Sequence, residues 1–486
     1  MKVLVERVPN LEGLLKVAYD GEPGKEKYFL QSGRTLHQEG RLFGKYPLEA
    51  VQHTQTLSAK SGVAHGIAAV LALENYLQWT PTYNGQKMRQ ILLHLSTLHS
   101  HLHHFYFEVL PDYLNQKHFK GQGLLRSTYY PTLALREKDD QDLSPEAAKQ
   151  IFTHLPQVVR TLAALQQAMA LLGGKYPVVM NLIPGGVANT NLGRAQGMKL
   201  LRILESAKEM VEEIWPTDIK TVIAGATDLL QSSDEDQQLI SFGSLPIENG
   251  KEEKAYFSPG VYVEGKLEPL NVTKITESYV DTYYRPADNR SLSNDLIYDL
   301  NKKKAHTWIK AARYETDVAL TGPLARLLIT HYGGGNVQVS DSIAGWIENL
   351  GLSIDKANSG AARLLAGAFE GRYILQNLFD SLLKLDFTGP LNQRKPFAFK
   401  GRGIGMGMVE APGGALLHQV YIEGGKITGY RIVAPSNWNL SPGDEFGKTG
   451  LLEAGLNRMG KFGPLRPETA IRLAHSYYAQ ALDATQ

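Results

Sequence analysis

Residues 401–418 read Gly401-Arg-Gly-Ile-Gly-Met-Gly-Met-Val-Glu-Ala-Pro-Gly-Gly-Ala-Leu-Leu-His418. The alternating glycines look like a phosphate cradle, but no Gly-Lys-Ser/Thr comes after them and no helical pattern comes next. Instead the chain continues with Glu410-Ala-Pro-Gly-Gly-Ala and then a β-prone run, so the stretch predicts a glycine-rich entry to a hairpin. The same texture extends over 385–445, where Gly and Pro punctuate short runs such as Gln419-Val-Tyr-Ile and Ile427-Thr-Gly-Tyr-Arg-Ile-Val, joined at Gly424-Gly425.

Outward from this β-rich excursion, helical spacing dominates. A second β-like stretch lies near residues 1–30, with Asp20-Gly21 as its hairpin turn. Helices are predicted over 47–78, where Ala64, Ala68, Ala69 and Ala72 repeat at helical spacing, and from Lys87 to Tyr113. Ser144-Pro145 opens a third, as N-cap and N1, and Gly173-Gly174 closes it. Further helices are expected over 191–214, 290–304, 340–383 and 467–482. The polar, acidic segment 231–253 reads as a surface excursion. No repeat, low-complexity tract or linker divides the chain, so the expected architecture is α+β and mainly helical. It is a long-helix core with small peripheral sheets, in one domain over 1–486.

The chain has 486 residues, with 51 Lys+Arg against 49 Asp+Glu, a net charge of +2. Near-neutral charge gives no argument for nucleic acid or an anionic membrane as partner. With 43% hydrophobic and 21% charged residues the composition is globular rather than disordered. The decisive count is zero cysteines. It excludes disulfides, Cys-ligated Fe–S clusters, a thiolate nucleophile and Cys-type zinc sites within this chain. The N-terminus lacks a signal-peptide pattern, and no window approaches the roughly 18 apolar residues of a membrane span. The expected location is the cytoplasm, with export or membrane tethering through a partner as the exception.

Three polar constellations stand out. His94, His99, His101, His103 and His104 crowd one helix, where His99 and His103, one turn apart, are spaced to share a metal. The alternative is a helix that packs imidazoles as amphipathic filler. Ser58, Ser61 and His65 have i, i+3, i+7 spacing, as on one helix face, and Gln480, Asp483 and Gln486 repeat at i, i+3, i+6. By spacing alone, solvated polar stripes look the same.

These triplets gain meaning from their surroundings. His306-Thr-Trp-Ile-Lys-Ala-Ala-Arg-Tyr and Gly322-Pro-Leu-Ala-Arg resemble the Trp-x-Lys-Ala-Pro-Arg-Tyr and Gly-Pro-Leu-Ala-Arg stretches of the large subunit of nickel-iron hydrogenases. Val409-Glu-Ala-Pro-Gly-Gly-Ala-Leu-Leu-His is similar to that family's Glu-Ala-Pro-Arg-Gly-Ala-Leu-Gly-His. Val433-Ala-Pro-Ser-Asn-Trp-Asn-Leu-Ser-Pro-Gly-Asp resembles its Pro-Thr-Thr-Trp-Asn-x-x-Pro-Arg-Asp. Leu11-Glu-Gly and Ile183-Pro-Gly-Gly-Val fit as well, and the resemblance runs in the family's order from about residue 5 to the last.

The departures fall on the metal ligands. The family's Arg-x-Cys-Gly-x-Cys-x-x-x-His, aligned on His65, places Thr56 at its arginine and Ser58 and Ser61 at its cysteines. Its C-terminal Asp-Pro-Cys-x-x-Cys-x-x-His aligns with Tyr478 at the aspartate, Gln480 and Asp483 at the cysteines and Gln486 at the histidine. Gly413 stands where the family has an arginine beside the diatomic iron ligands. The resemblance implies four thiolates around nickel, two of them bridging to an iron that carries cyanide and carbon monoxide. A serine hydroxyl does not ionise near neutral pH as a thiol does, and hard oxygen ligands do not replace soft thiolates at such a centre. The expectation is a degenerate member without a nickel-iron centre and without conventional hydrogenase activity. The chain also stops at the position of the family's final histidine, so no C-terminal peptide is expected to be removed.

Other positions are retained. Glu12 matches the family's proton-passing glutamate, and Glu39 the residue that binds magnesium with the C-terminal histidine, here Gln486. His65 matches the histidine over the metal site, with a structural imidazole as the alternative. Lys60, beside Ser61, is expected to pair with Asp483 and seal the site. Three functions are consistent with this pattern. One is a scaffold that docks an Fe–S small subunit and serves electron transfer. The second is a cavity reused for an organic substrate such as a quinone, as in the related subunit of respiratory complex I, with His65, Asp483 and Tyr478 as proton donors or hydrogen-bond partners. The third is a hard-metal, magnesium-like catalytic site at Ser58, Ser61, Gln480 and Asp483.

Overall fold

The computed structural model describes residues 2–22, 24–33, 38–130, 141–188, 193–226, 229, 238–244, 256–285, 297–334, 337–349, 354, 357–386 and 388–478. The glycine-rich stretch is a hairpin. Strand Arg402–Ala411 pairs antiparallel with Gly414–Glu423, which pairs in turn with Lys426–Val433. The purpose of the glycines is steric. A Cβ at Gly405 would lie 2.0 Å from the Ala72 carbonyl oxygen, and one at Gly407 would lie 2.1 Å from that of Ala68. The strand therefore rests backbone on backbone against helix Gly62–Leu77, whose small residues Ala64, Ala68, Ala69 and Ala72 are all buried. Alternation along the strand turns Ile404 to the other side, where it is half exposed.

Helix Tyr83–His103 packs between helices Pro145–Gly173 and Gly360–Leu383. Thr82 caps it by accepting from Gly85 N–H, and it continues as a wider turn over His104–Val109 and a tight one over Leu110–Tyr113. Almost every residue of Tyr83–His103 is buried, His94, His99 and His101 included, so these imidazoles need partners inside the protein. Helix Pro145–Gly173 starts as expected, Ser144 accepting from Ala147 N–H. It buries Ile151, Leu155, Val158, Leu162, Leu165, Met169 and Leu172 along one stripe.

Several expectations need correction. The helix over 47–78 is two helices, Glu49–Gln55 and Gly62–Leu77. The intervening turn exists because the Ser58 hydroxyl takes up backbone N–H groups that a continuous helix would use. Ser58, Ser61 and His65 thus do not share one helix face. The helix over 340–383 is likewise two, Val337–Glu348 and Gly360–Leu383, the second restarted by the Ser359 cap. Of the helix expected over 290–304, residues 290–296 lie outside the described residues. The remainder opens with strand Ile297–Tyr298, paired to Tyr284–Arg285, where Lys302 Nζ ties the carbonyls of Tyr279, Thr282 and Tyr284. Within the acidic segment 231–253, Gln238–Ser241 is a strand of a four-stranded sheet, with Ile240 and Ser241 fully buried, so this part is no surface excursion. The C-terminal helix spans Pro467–Ser476. Tyr478 then takes a left-handed conformation (φ 55°), and 479–486 lie outside the described residues.

The larger hydrophobic cluster draws on residues from Val5 to Tyr477, and a smaller one gathers Trp438 with Tyr314, Leu417 and Val433. Among the described residues no helix is long and apolar enough to cross a membrane.

Candidate functional site

The turn between the two helices carries Ser58 and Ser61, the first pair of positions that the resemblance aligns with cysteines. Ser58 is buried, and its Oγ accepts from the backbone N–H groups of Lys60 and Ser61, each at 3.1 Å. Its own proton goes to Glu12 Oε2 at 2.5 Å. A hydroxyl has one donor and two acceptor sites, and all three are used. Ser61 precedes helix Gly62–Leu77, and its carbonyl accepts from His65 N–H at 3.0 Å, placing His65 on the first turn and out of solvent.

Among the described residues Lys60 reaches a buried carboxylate on another element. Its Nζ lies 2.5 Å from Glu108 Oε1 and 3.1 Å from the Asn10 carbonyl. Asp483 lies outside the described residues. The Glu108 carboxylate, fully buried, also meets His103 Nδ1 at 3.0 Å and His104 Nδ1 at 2.6 Å. Burial alone would raise the Glu108 carboxyl, but Lys60 and the two imidazoles override it and hold it well below the usual range. Beside this group, His475 donates to Asp112 Oδ2 at 2.6 Å and to the Pro9 carbonyl at 3.1 Å. Both partners are acceptors, which requires an imidazolium. Accordingly the His475 pKa is raised against its burial, chiefly by Asp112.

His65 leads away from the centre in another direction. Its Nδ1 is 2.9 Å from His418 Nε2, and His418 Nδ1 is 2.8 Å from the Tyr430 hydroxyl. The hairpin register sets this up. His418 pairs with Gly407, so it faces helix Gly62–Leu77 together with the glycines. Burial, reinforced by His65, pushes His418 well below the usual histidine range, so His418 is the neutral link between His65 and the Tyr430 phenol.

A third network braces the floor. All five N–H groups of the buried Arg326 are used, by Glu370, by Glu410 and by the carbonyls of Ala411 and Pro412. Glu370 also takes His101 Nε2 at 2.7 Å, and against its burial Arg326 holds it at about 2. Tyr478 stacks over His104 with centroids 4.4 Å apart and meets His101 edge-on at 5.3 Å. Gly413 abuts this region: a Cβ there would lie 3.2 Å from Pro435 Cβ and 3.9 Å from the Tyr478 carbonyl oxygen.

Glu39 Oε1 accepts from Lys310 Nζ at 2.9 Å and Ile432 N–H at 2.6 Å. Lys310 also contacts Glu277 at 3.0 Å and the Ile432 carbonyl at 2.9 Å, and Glu277 binds Arg431. Of the residues expected to hold magnesium, the described part supplies this one carboxylate, already engaged; Gln486 lies outside it. Gln480 and Asp483, the second pair that the resemblance aligns with cysteines, also lie outside. His99 and His103 stack with centroids 6.4 Å apart, while His99 Nε2 meets Gln166 and His103 turns to Glu108, so they converge on no common point. Among the described residues no group of three or more His, Cys, Asp or Glu is arranged to hold a metal ion.

Thus Glu12, Ser58, Ser61 and His65 gather around one turn, as the sequence suggests, while Glu108, Glu370, Arg326, His418 and Tyr430 are additions. Glu108 was legible at i+4 from His104; Glu370, 269 residues from its partner His101, was not.

A nickel-iron centre does not fit this set. No thiol exists in the chain, and the Ser58 oxygen has no lone pair left. There is accordingly no cysteine-bound nickel.

Comparison with known proteins agrees with the motifs. The family model described as nickel-dependent hydrogenase matches residues 38–120 and 114–479. The chain is 27% identical to the periplasmic [NiFeSe] hydrogenase large subunit of Desulfomicrobium baculatum, over 98% of this chain and 93% of that one. It is 26% identical to the hydrogenase-1 large chain of Escherichia coli K12, over 90% and 86%. Among solved structures, the H2-activated [NiFeSe] hydrogenase of Dm. baculatum superposes with a TM-score of 0.84 at 23% identity, covering 99% of this chain and 98% of that one. The as-isolated Ni-Fe-Se hydrogenase of D. vulgaris Hildenborough gives 0.82 at 24%, covering 99% and 98%. The α+β, mainly helical architecture with small peripheral sheets is therefore that of hydrogenase large subunits. The chain belongs to the nickel-dependent hydrogenase family, and it does so without a single cysteine.

Proposed function

We propose that this chain is the large-subunit-like component of an electron-transfer complex, docked to an Fe–S small subunit and unable to assemble a nickel-iron centre. The saturated Ser58 hydroxyl carries this proposal. With Glu12 as acceptor and two backbone N–H groups as donors, the position works as a turn brace and not as a ligand. Lys60 and Glu108 fill the adjacent space with an internal ion pair. The compartment is set by the partner, in the cytoplasm or tethered to a membrane through it. The test is metal analysis and redox spectroscopy of the complex purified from its native host. Expected are Fe–S absorption from a co-purified subunit, nickel at background and no hydrogen uptake. Stoichiometric nickel overturns the proposal.

The buried, hydrogen-bonded His65–His418–Tyr430 chain favours a second function, an organic substrate such as a quinone at the vacated centre. A quinone takes two electrons, here from the partner's clusters, and two protons. The chain has the composition of a proton relay. Asp483→Ala should abolish quinone reduction by the intact complex; unchanged turnover eliminates this function.

A further inference from the structure

The segment Arg394-Lys-Pro-Phe-Ala-Phe-Lys-Gly-Arg402 holds four cations and two phenylalanines in nine residues, and no carboxylate. The near-neutral charge of the whole chain conceals it. Up to Lys400 the segment is neither helix nor strand, and it crosses the C-terminal end of helix Gly62–Leu77. There its rings join three others. Phe399 lies 5.5 Å from Tyr46 and 6.1 Å from Tyr76, centroid to centroid, and Phe397 lies 6.5 Å from Phe399 and 5.8 Å from Trp79. The Tyr76 hydroxyl donates to the Lys400 carbonyl at 2.8 Å, and Lys395 Nζ sits 5.8 Å from the Trp79 ring centroid. Phe399 is buried, Tyr46 is 39% exposed, and Tyr76, Trp79 and Phe397 are half-buried.

More cations border the rings. Ile427 N–H donates to the Lys45 carbonyl at 2.9 Å, which brings Lys45 and Lys426 alongside. The carboxylates here are Glu49, 3.7 Å from Lys45, and Glu423, across the hairpin from Arg402 and Lys426. Six cations thus face two carboxylates, and among the described residues Arg394, Lys395 and Lys400 enter no ion pair. Half-exposed Tyr and Trp rings interleaved with Lys and Arg suit a lipid–water boundary, where the rings enter and the basic stems reach up to phosphates. Two other partners fit less well. A nucleic-acid strand needs open ring faces for its bases, whereas these rings stack on one another, Trp79 and Phe397 at 29° and Phe397 and Phe399 at 15°. A protein interface is depleted in lysine and keeps charge on its rim, whereas Lys395 and Lys400 bracket the two phenylalanines.

We propose that this end of the molecule binds the surface of an anionic bilayer, with Trp79 and Phe397 at the headgroup boundary and the cations on lipid phosphates. The patch lies about 24 Å along helix Gly62–Leu77 from Ser61 and His65, so it is independent of the proposed electron-transfer role. It gives the chain a membrane contact of its own, without a crossing helix.

Trp79 makes the test specific, because Trp215, Trp308, Trp346 and Trp438, the other four of the five tryptophans, are buried. The full chain should sediment with vesicles of equimolar phosphatidylcholine and phosphatidylglycerol, and not with phosphatidylcholine alone. Brominated acyl chains in the anionic vesicles should quench the Trp79 fluorescence. Each lost cation should weaken partitioning about fivefold, so Lys395→Gln combined with Lys400→Gln should weaken it about 25-fold at unchanged Tm. Both side chains are exposed and lie outside the candidate site. Equal binding to the two kinds of vesicle, binding without quenching, or a double variant that binds like wild type overturns the proposal. So does tighter binding to polyglutamate or to a deoxythymidine oligomer than to the anionic vesicles, which makes the patch a protein or nucleic-acid site.

Discussion

Ser58 and Glu12 lie 46 residues apart in the chain, yet the hydroxyl of one donates to the carboxylate of the other across 2.5 Å. Glu12 is therefore a structural acceptor in this protein. Ser58→Ala removes that donor and leaves the N–H groups of Lys60 and Ser61 without their acceptor at a buried position. The expected loss is about 1–3 kcal/mol in urea unfolding. An unchanged midpoint would show that the hydroxyl braces nothing.

Lys60→Met should be worse than Ser58→Ala, because it strands the fully buried Glu108 carboxylate. The expected cost is about 3–5 kcal/mol. Lys60→Met combined with Glu108→Gln should recover a large part of it, since the double variant buries no charge. If both variants unfold at the same denaturant concentration, the pair is not the source of the loss.

Stability should decline as pH falls below 6.5. Burial lowers His94 to about 4 and His99 to about 3, and His418 well below the usual range. Each stays neutral in the folded protein while the unfolded chain takes up a proton from about pH 6.5 downward, so the unfolded state binds more protons and acid favours it. His475 has the opposite sign. Its raised pKa gives stability that is fully present below 6.5 and lost as pH rises through the folded value. His99→Gln should flatten the slope between pH 4 and 6.5, and His475→Gln should remove the decline that sets in as pH rises above 6.5, both read from denaturant midpoints against pH.

The glycine strand predicts a sharp asymmetry. Gly407→Ala drives a methyl to 2.1 Å from a helix carbonyl, backbone that cannot rotate away. It should cost at least the roughly 1–3 kcal/mol typical of overpacking. Ile404→Ser, half exposed on the other face, should stay within about 0.5 kcal/mol. Equal effects would mean the strand does not rest on the helix.

How much was legible in the sequence depends on where the information sits. Caps such as Ser144 and the hairpin at 402–423 are local, written in a few adjacent residues. The break between Gln55 and Gly62 was hidden because its cause is a side-chain oxygen competing for backbone donors, which residue types at helical spacing do not announce. Strand Gln238–Ser241 was masked by acidic neighbours on both sides; its burial comes from Gly260–Val263 and Ala319–Leu320, which no local pattern announces. Glu12, Ser58, Ser61 and His65 were found through motif spacing. The partners that set their chemistry, His418 for His65 and Glu108 for Lys60, arrive from other elements, and a single sequence does not encode such pairings by proximity.

The seam of Gly403, Gly405 and Gly407 against helix Gly62–Leu77 has one more consequence. That helix has Ser61 just before it and His65 on its first turn, and Gly405 and Gly407 clamp it by main chain on main chain. The cradle can therefore stand without cargo. Putting sulfur back at positions 58 and 61 would be side-chain chemistry on a finished frame. The obstacle would be the grip of Glu12 on its hydroxyl, and not any need to rebuild the walls.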